Sequence, residues 1–152
     1  MGLKILFVED NDHKRGRIID FICHTFPHTN VDEAYSFTSG WQKLESSFYD
    51  LVLLDMTLPT YDRSSTESGG RIRIFGGREI ARKIYRNKIK TSVAVITQFN
   101  SFSDKGYSHN FEDLCREMEK DLNDTFKGMI FYNSSVSAWR DDLTNIIIRL
   151  GV

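Results

Sequence analysis

The sequence predicts an α/β protein, one doubly wound five-stranded parallel sheet with helices on both faces. Short continuous apolar runs alternate with stripes at three-to-four spacing, the pattern of repeated strand and helix units. The runs are apolar throughout rather than alternating, as strands covered on both faces are. At 152 residues the chain suits one substantial core, so residues 1 to 152 are expected to form a single domain.

The elements follow in order. Strands are expected near Lys4 to Val8, Asn30 to Asp32, Leu51 to Asp55, Ser92 to Thr97 and Gly128 to Tyr132. Between them lie helical stripes: Ile18, Phe21 and Ile22; Phe37, Trp41, Leu44 and Phe48; Ile80, Ala81, Ile84 and Tyr85; Phe111, Leu114, Cys115, Met118 and Leu122. A last stripe of Trp139, Leu143, Ile146, Ile147 and Leu150 gives a final helix over Ser137 to Leu150. Two connections exceed what this architecture needs. Thr60 to Phe75 is rich in Ser, Thr, Gly and Arg and reads as loop. Gln98 to Asn110 is a second long loop, of a length that is usually functional or mobile.

Charge and composition exclude several classes. Net charge is −1, with 20 basic and 21 acidic residues, so no global field favours nucleic acid or a membrane surface. No apolar stretch approaches the roughly 20 residues that span a bilayer, which points to a cytoplasmic protein. Cys23 and Cys115 sit in apolar helical patterns and read as reduced core residues rather than a disulfide framework. His13, His24, His28 and His109 have no metal-ligand spacing with them. Residues 71 to 90 carry eight basic side chains against Glu79 alone. This basic stretch reads first as a solvated helix face, then as a dock for an acidic partner, with the acidic region from Glu112 to Asp124 on a second copy as one such partner.

Two strand ends concentrate acid. The first run ends in Glu9-Asp10 and the third in Asp55, and ligands of such sheets gather beyond the carboxyl ends of the strands. Three converging carboxylates repel unless a divalent cation or a basic side chain neutralises them. Hard oxygen donors with room for retained waters suit Mg2+. The fourth run adds the Thr97 hydroxyl at the same edge. Taken singly, the acids also read as helix or turn caps.

With Glu9-Asp10, Asp55, Pro59 and Thr97 in this order, the chain resembles a response-regulator receiver domain over nearly its whole length. The resemblance implies a flavodoxin-like sheet of order 2-1-3-4-5, Asp55 as phosphoacceptor and Thr97 as the phosphoryl switch. It further implies Mg2+ on Asp10, Asp55 and the backbone carbonyl of Thr57, with Glu9 acting directly or through water. Receivers step from the proline to the third helix in a few residues, so Tyr61 to Phe75 reads as an insertion leaving the sheet beside Asp55.

The departures from the family are specific. Asn133 stands where receivers place a lysine after the fifth strand, and an amide supplies no point charge. Lys127 precedes that strand and belongs at the opposite end of the sheet. Arg71 and Arg73 from the insertion, or Lys105 from the other long loop, are therefore expected to reach the phosphoryl position. Gln98 replaces the small residue that usually follows the threonine, and Ile130 the usual aromatic switch residue.

The resemblance implies a stand-alone receiver, not an enzyme beyond self-catalysed transfer and hydrolysis. Its partners would be a sensor histidine kinase or phosphotransfer protein and a separate output protein. A phosphorylation-independent interaction module is the main alternative. A haloacid-dehalogenase-type phosphatase matches only at Asp55, because Thr57 stands at its usual second aspartate.

Overall fold

The structure is a computed structural model and describes residues 2 to 151. Its main sheet comprises β1 (Lys4–Val8), β2 (Asn30–Ala34), β3 (Leu51–Leu54), β4 (Ser92–Thr97) and β5 (Phe126–Phe131). These pair in parallel in the order β2-β1-β3-β4-β5. The helices are α1 (Asp12–Thr25), α2 (Phe37–Ser46), α3 (Gly76–Arg86), α4 (Phe111–Leu122) and α5 (Ala138–Arg149). Strands β1 and β3 are buried on both faces. Leu6, Val8, Val52 and Leu54 pack with α2, α3 and α4, while Ile5, Phe7, Leu51 and Leu53 pack with Ile18, Ile22, Trp139 and Leu143 of α1 and α5. Each such side chain contributes about 1.5–3 kcal/mol through burial, so the central strands fix where the site sits.

The sheet differs from expectation at its ends. β2 runs two residues further, to Ala34, because its outer-edge residues are only partly buried and the apolar signal fades there. β3 stops at Leu54, leaving Asp55 just past the strand. β5 starts at Phe126 rather than Gly128 and stops before Tyr132. The cause is a bulge at Lys127: Val93 pairs with Phe126, and Ala94 with Gly128. Gly128, at φ 145°, occupies backbone space that side chains rarely adopt.

Both long connections carry their own ladders. Leu58–Pro59 pairs antiparallel with Ile72–Arg73, so the insertion rises as a short hairpin before an exposed tip. Ser101–Asp104 and Tyr107–Asn110 form a second hairpin. Its two-residue turn, Lys105-Gly106, has positive φ at both positions, matching the twist of the arms. Alternation within Gln98 to Asn110 is too short to announce two strands.

Cys23 is exposed and Cys115 half-buried, both free, which corrects the expectation of two core thiols. The basic stretch and the acidic fourth helix pair within the chain. Arg78 reaches Glu117 and Asp121 at 3.1 Å each, and Arg82 reaches Asp121 at 2.8 Å. Arg82 first and Arg78 next hold the Asp121 carboxyl below its ordinary range. Arg73 and Lys83 lie over the Phe37 and Trp41 rings, so this face is partly covered rather than simply solvated.

Candidate functional site

The carboxyl ends of β1 and β3 bring the acids together. Glu9 N–H donates to the Ala34 carbonyl at 2.9 Å and Asp55 N–H to the Val8 carbonyl at 3.0 Å, continuing the ladder one step past the strands. α3 closes from below. A Cβ on Gly77 would stand 2.3 Å from the Asp55 carbonyl oxygen, and the Gly77 N–H donates to Met56 O, so only glycine admits this approach. Asp55 is buried, and its Oδ1 accepts from Met56 N at 2.8 Å. Glu9, Asp10, Asp55, Thr57, Arg63 and Gln98 help line one cavity of 230 Å³.

Two cations enter that were not expected. Lys14, in the first turn of α1, is 2 % exposed. Its Nζ lies 2.6 Å from Glu9 Oε1, 2.8 Å from the Ile96 carbonyl and 3.4 Å from Asp55 Oδ1. Arg63, from the insertion, places Nε 3.3 Å from Asp10 Oδ2. Three carboxylates thus face two cations. Burial first, and Asp55 next, push Glu9 up to about 7 from 4.5 despite Lys14. Burial also raises Asp10, with Arg63 opposing.

The remaining expected residues divide. The Thr97 hydroxyl is fully buried and accepts from Phe99 N at 3.2 Å, so in this state it closes the β4 turn. The Thr57 hydroxyl donates to Ile74 O, leaving its backbone carbonyl as the group for a ligand. Asn133 Oδ1 accepts from Ser135 N and lines a neighbouring cavity of 320 Å³ with Lys14 and Gln98. Arg71, Arg73 and Lys105 do not line the acidic cavity. Arg73 is held by Phe37 and by Glu79 at 3.4 Å, Arg71 is exposed, and Lys105 sits at a hairpin tip. Ile130 is buried, while Phe131 is exposed against Phe111 and Tyr132 is buried against Trp139.

The signal for Lys14 lies in α1. Positions 14, 18 and 22 form one buried stripe, and its first member is a lysine where an apolar residue would complete the pattern. Arg63 had no such signal, since nothing local marks one arginine among the insertion's several.

The residues suit magnesium in chemistry: carboxylates and a carbonyl, all hard oxygens, border one cavity. Among the described residues no three carboxylate, His or Cys groups stand together as a cage. Magnesium does not require one, since it is typically held by one or two carboxylates and keeps several waters.

No protein-family model matches the chain. Among curated proteins it is similar to the Detocs response regulatory protein DtcB of Enterobacter cloacae strain JD6301, 27% identical over 150 residues, covering 97% of this chain and 100% of the relative. It is also similar to the response regulator ArlR of Staphylococcus aureus, 32% identical over 102 residues, 67% of this chain and 39% of that one. Among solved structures, a CheY-like receiver domain protein from Methanospirillum hungatei has TM-score 0.64 at 21% identity, with 99% of this chain and 94% of the other covered. TrrA from Thermotoga maritima, solved in complex with Mg2+ and BeF, has TM-score 0.59 at 19% identity, with 96% and 99% covered. The chain is a response-regulator receiver domain of the kind used in two-component signalling. No helix among the described residues is long and apolar enough to cross a membrane.

Proposed function

We propose that the chain accepts a phosphoryl group on Asp55 from a sensor histidine kinase or phosphotransfer protein. On this reading it acts as a stand-alone cytoplasmic receiver that signals to a separate output protein, without binding nucleic acid or membrane itself. The observation that carries it is Asp55 at the end of β3, bordering an acidic cavity already supplied with cations. An Asp55 carboxylate oxygen attacks phosphorus in line, the new O–P bond forming as the donor's P–N bond breaks. The Met56 N–H fixes the other geometry of that carboxylate by holding Oδ1. Asp10, Asp55 and the Thr57 carbonyl would hold Mg2+, with Glu9 direct or through water, and the ion would neutralise charge on the transferring group.

The test is intact-mass analysis after exposure to a small phosphodonor with Mg2+. One phosphoryl addition, absent in Asp55→Ala and removed by hydroxylamine, is the expected result. No addition from a small donor or from histidine kinases would instead support a phosphorylation-independent interaction module. That second reading is favoured by one observation: Glu9 and Asp55 are paired with Lys14 within the chain.

A further inference from the structure

We propose that Lys14 is the cation that grips the phosphoryl group on Asp55, entering the site from α1 rather than from the end of β5. This rests on the phosphoacceptor reading and names the residue that completes it. An ammonium has three donors and no acceptor. One of those of Lys14 donates to Ile96 O at 2.8 Å, and Glu9 Oε1 stands 2.6 Å away as an ion-pair contact off the hydrogen-bonding direction. The third acceptor in reach is Asp55 Oδ1 at 3.4 Å, too long for a strong charge-assisted bond. The two tight contacts aim the group, and the loose one leaves a donor for an oxygen that arrives at Asp55.

Packing does not account for a lysine here. A buried ion pair adds little net stability over an apolar side chain of similar size, and Ile18 and Ile22 continue the same stripe as aliphatics. The post-β5 segment offers no competitor, because the Asn133 amide oxygen closes its own turn on Ser135 N. Lys14 lines the cavity beside the acidic one, its Nζ 3.4 Å from Asp55 Oδ1 and 5.8 Å from the Tyr132 ring, the residue next to Asn133. One ammonium thereby enters, from the α1 side, the cavity that Asn133 also lines.

Charge makes the role necessary. In transfer from phosphoramidate, the Asp55 carboxylate forms an O–P bond as the P–N bond breaks, and ammonia leaves with the protons already on nitrogen. The Asp55 side chain goes from one negative charge to about two, on three terminal oxygens, beside Glu9. A donor fixed within 3.4 Å of the reacting carboxylate needs no reorganisation at that moment.

The test compares wild type with Lys14→Met and Lys14→Gln, all as full chains checked by circular dichroism and cooperative melting. Gln keeps a polar end at the buried position should Met fail to fold. The labelling rate at saturating phosphoramidate and Mg2+ and the Mg2+ dissociation constant in the absence of donor are both measured. The expected result is a maximal labelling rate lower by on the order of tenfold to a hundredfold, with magnesium bound as tightly as in wild type or more tightly. A distorted site would lose magnesium as well. Wild-type labelling rates in either folded variant, or loss of labelling together with loss of magnesium, would overturn the role of Lys14 and leave the receiver function standing. A wild-type protein that takes no label at all overturns the phosphoacceptor reading itself, and this inference with it.

Discussion

At the scale of single residues, Glu9 is strongly conditioned by its surroundings. Burial and the Asp55 charge push its carboxyl up to about 7, from 4.5. A raised carboxyl binds its proton more tightly in the folded state than in the unfolded one. The resulting stabilisation is full below pH 4.5 and is lost as pH rises through 7. Glu9→Gln carries no such term. Thermal melts with chelator present are therefore expected to show wild type losing ground to Glu9→Gln between pH 5 and 8, and a gap independent of pH would contradict this. The acids and Thr97 were legible because each ends an apolar run. Lys14 was legible only as a break in the α1 stripe, and its role depends on contacts with β1, β3 and β4 that no local pattern encodes.

At the scale of elements, the insertion is a docked hairpin with an exposed tip. Thr60 N–H and its hydroxyl both donate to Arg71 O, Tyr61 N–H donates to Gly69 O, and Ser36 at the cap of α2 donates to Asp62 at 2.6 Å. These contacts hold Arg63 over Asp10. Arg63 competes with any cation that Asp10 would hold, so Arg63→Ala is expected to tighten Mg2+ binding by up to about fivefold, the worth of a half-exposed pair. Calorimetric titration checks it, and weaker binding in the variant would contradict the competition. The composition of this segment reads as loop, but not which of its cations reaches the acids. Arg71 and Arg73 stood nearer the third helix, yet the ladder of Ile72–Arg73 with Leu58–Pro59 turns Arg73 onto Phe37. Loop residues take their direction from tertiary pairing, and the same holds for Lys105 at the turn of the second hairpin.

For the whole molecule, the strands and both core faces followed from run length and stripe spacing, because strands buried on two faces leave little freedom in composition, while the sheet order came from the family resemblance. The ends of β2 and β5 did not follow, since an edge strand is half polar and a bulge inserts a residue without changing its neighbours. Part of the opposite charge on α3 and α4 is met within the chain, where Arg78 and Arg82 pair with Glu117 and Asp121. What remains is a receiver whose acidic edge is capped by one buried and one exposed cation. The proposed function turns on Asp55 receiving a phosphoryl group. Fluorine NMR of the protein with Mg2+ and beryllofluoride, a stable mimic of that group, tests it most directly. A protein-bound fluorine signal that requires Mg2+ and disappears in Asp55→Asn is expected. No bound signal, or one that persists in Asp55→Asn, would contradict it.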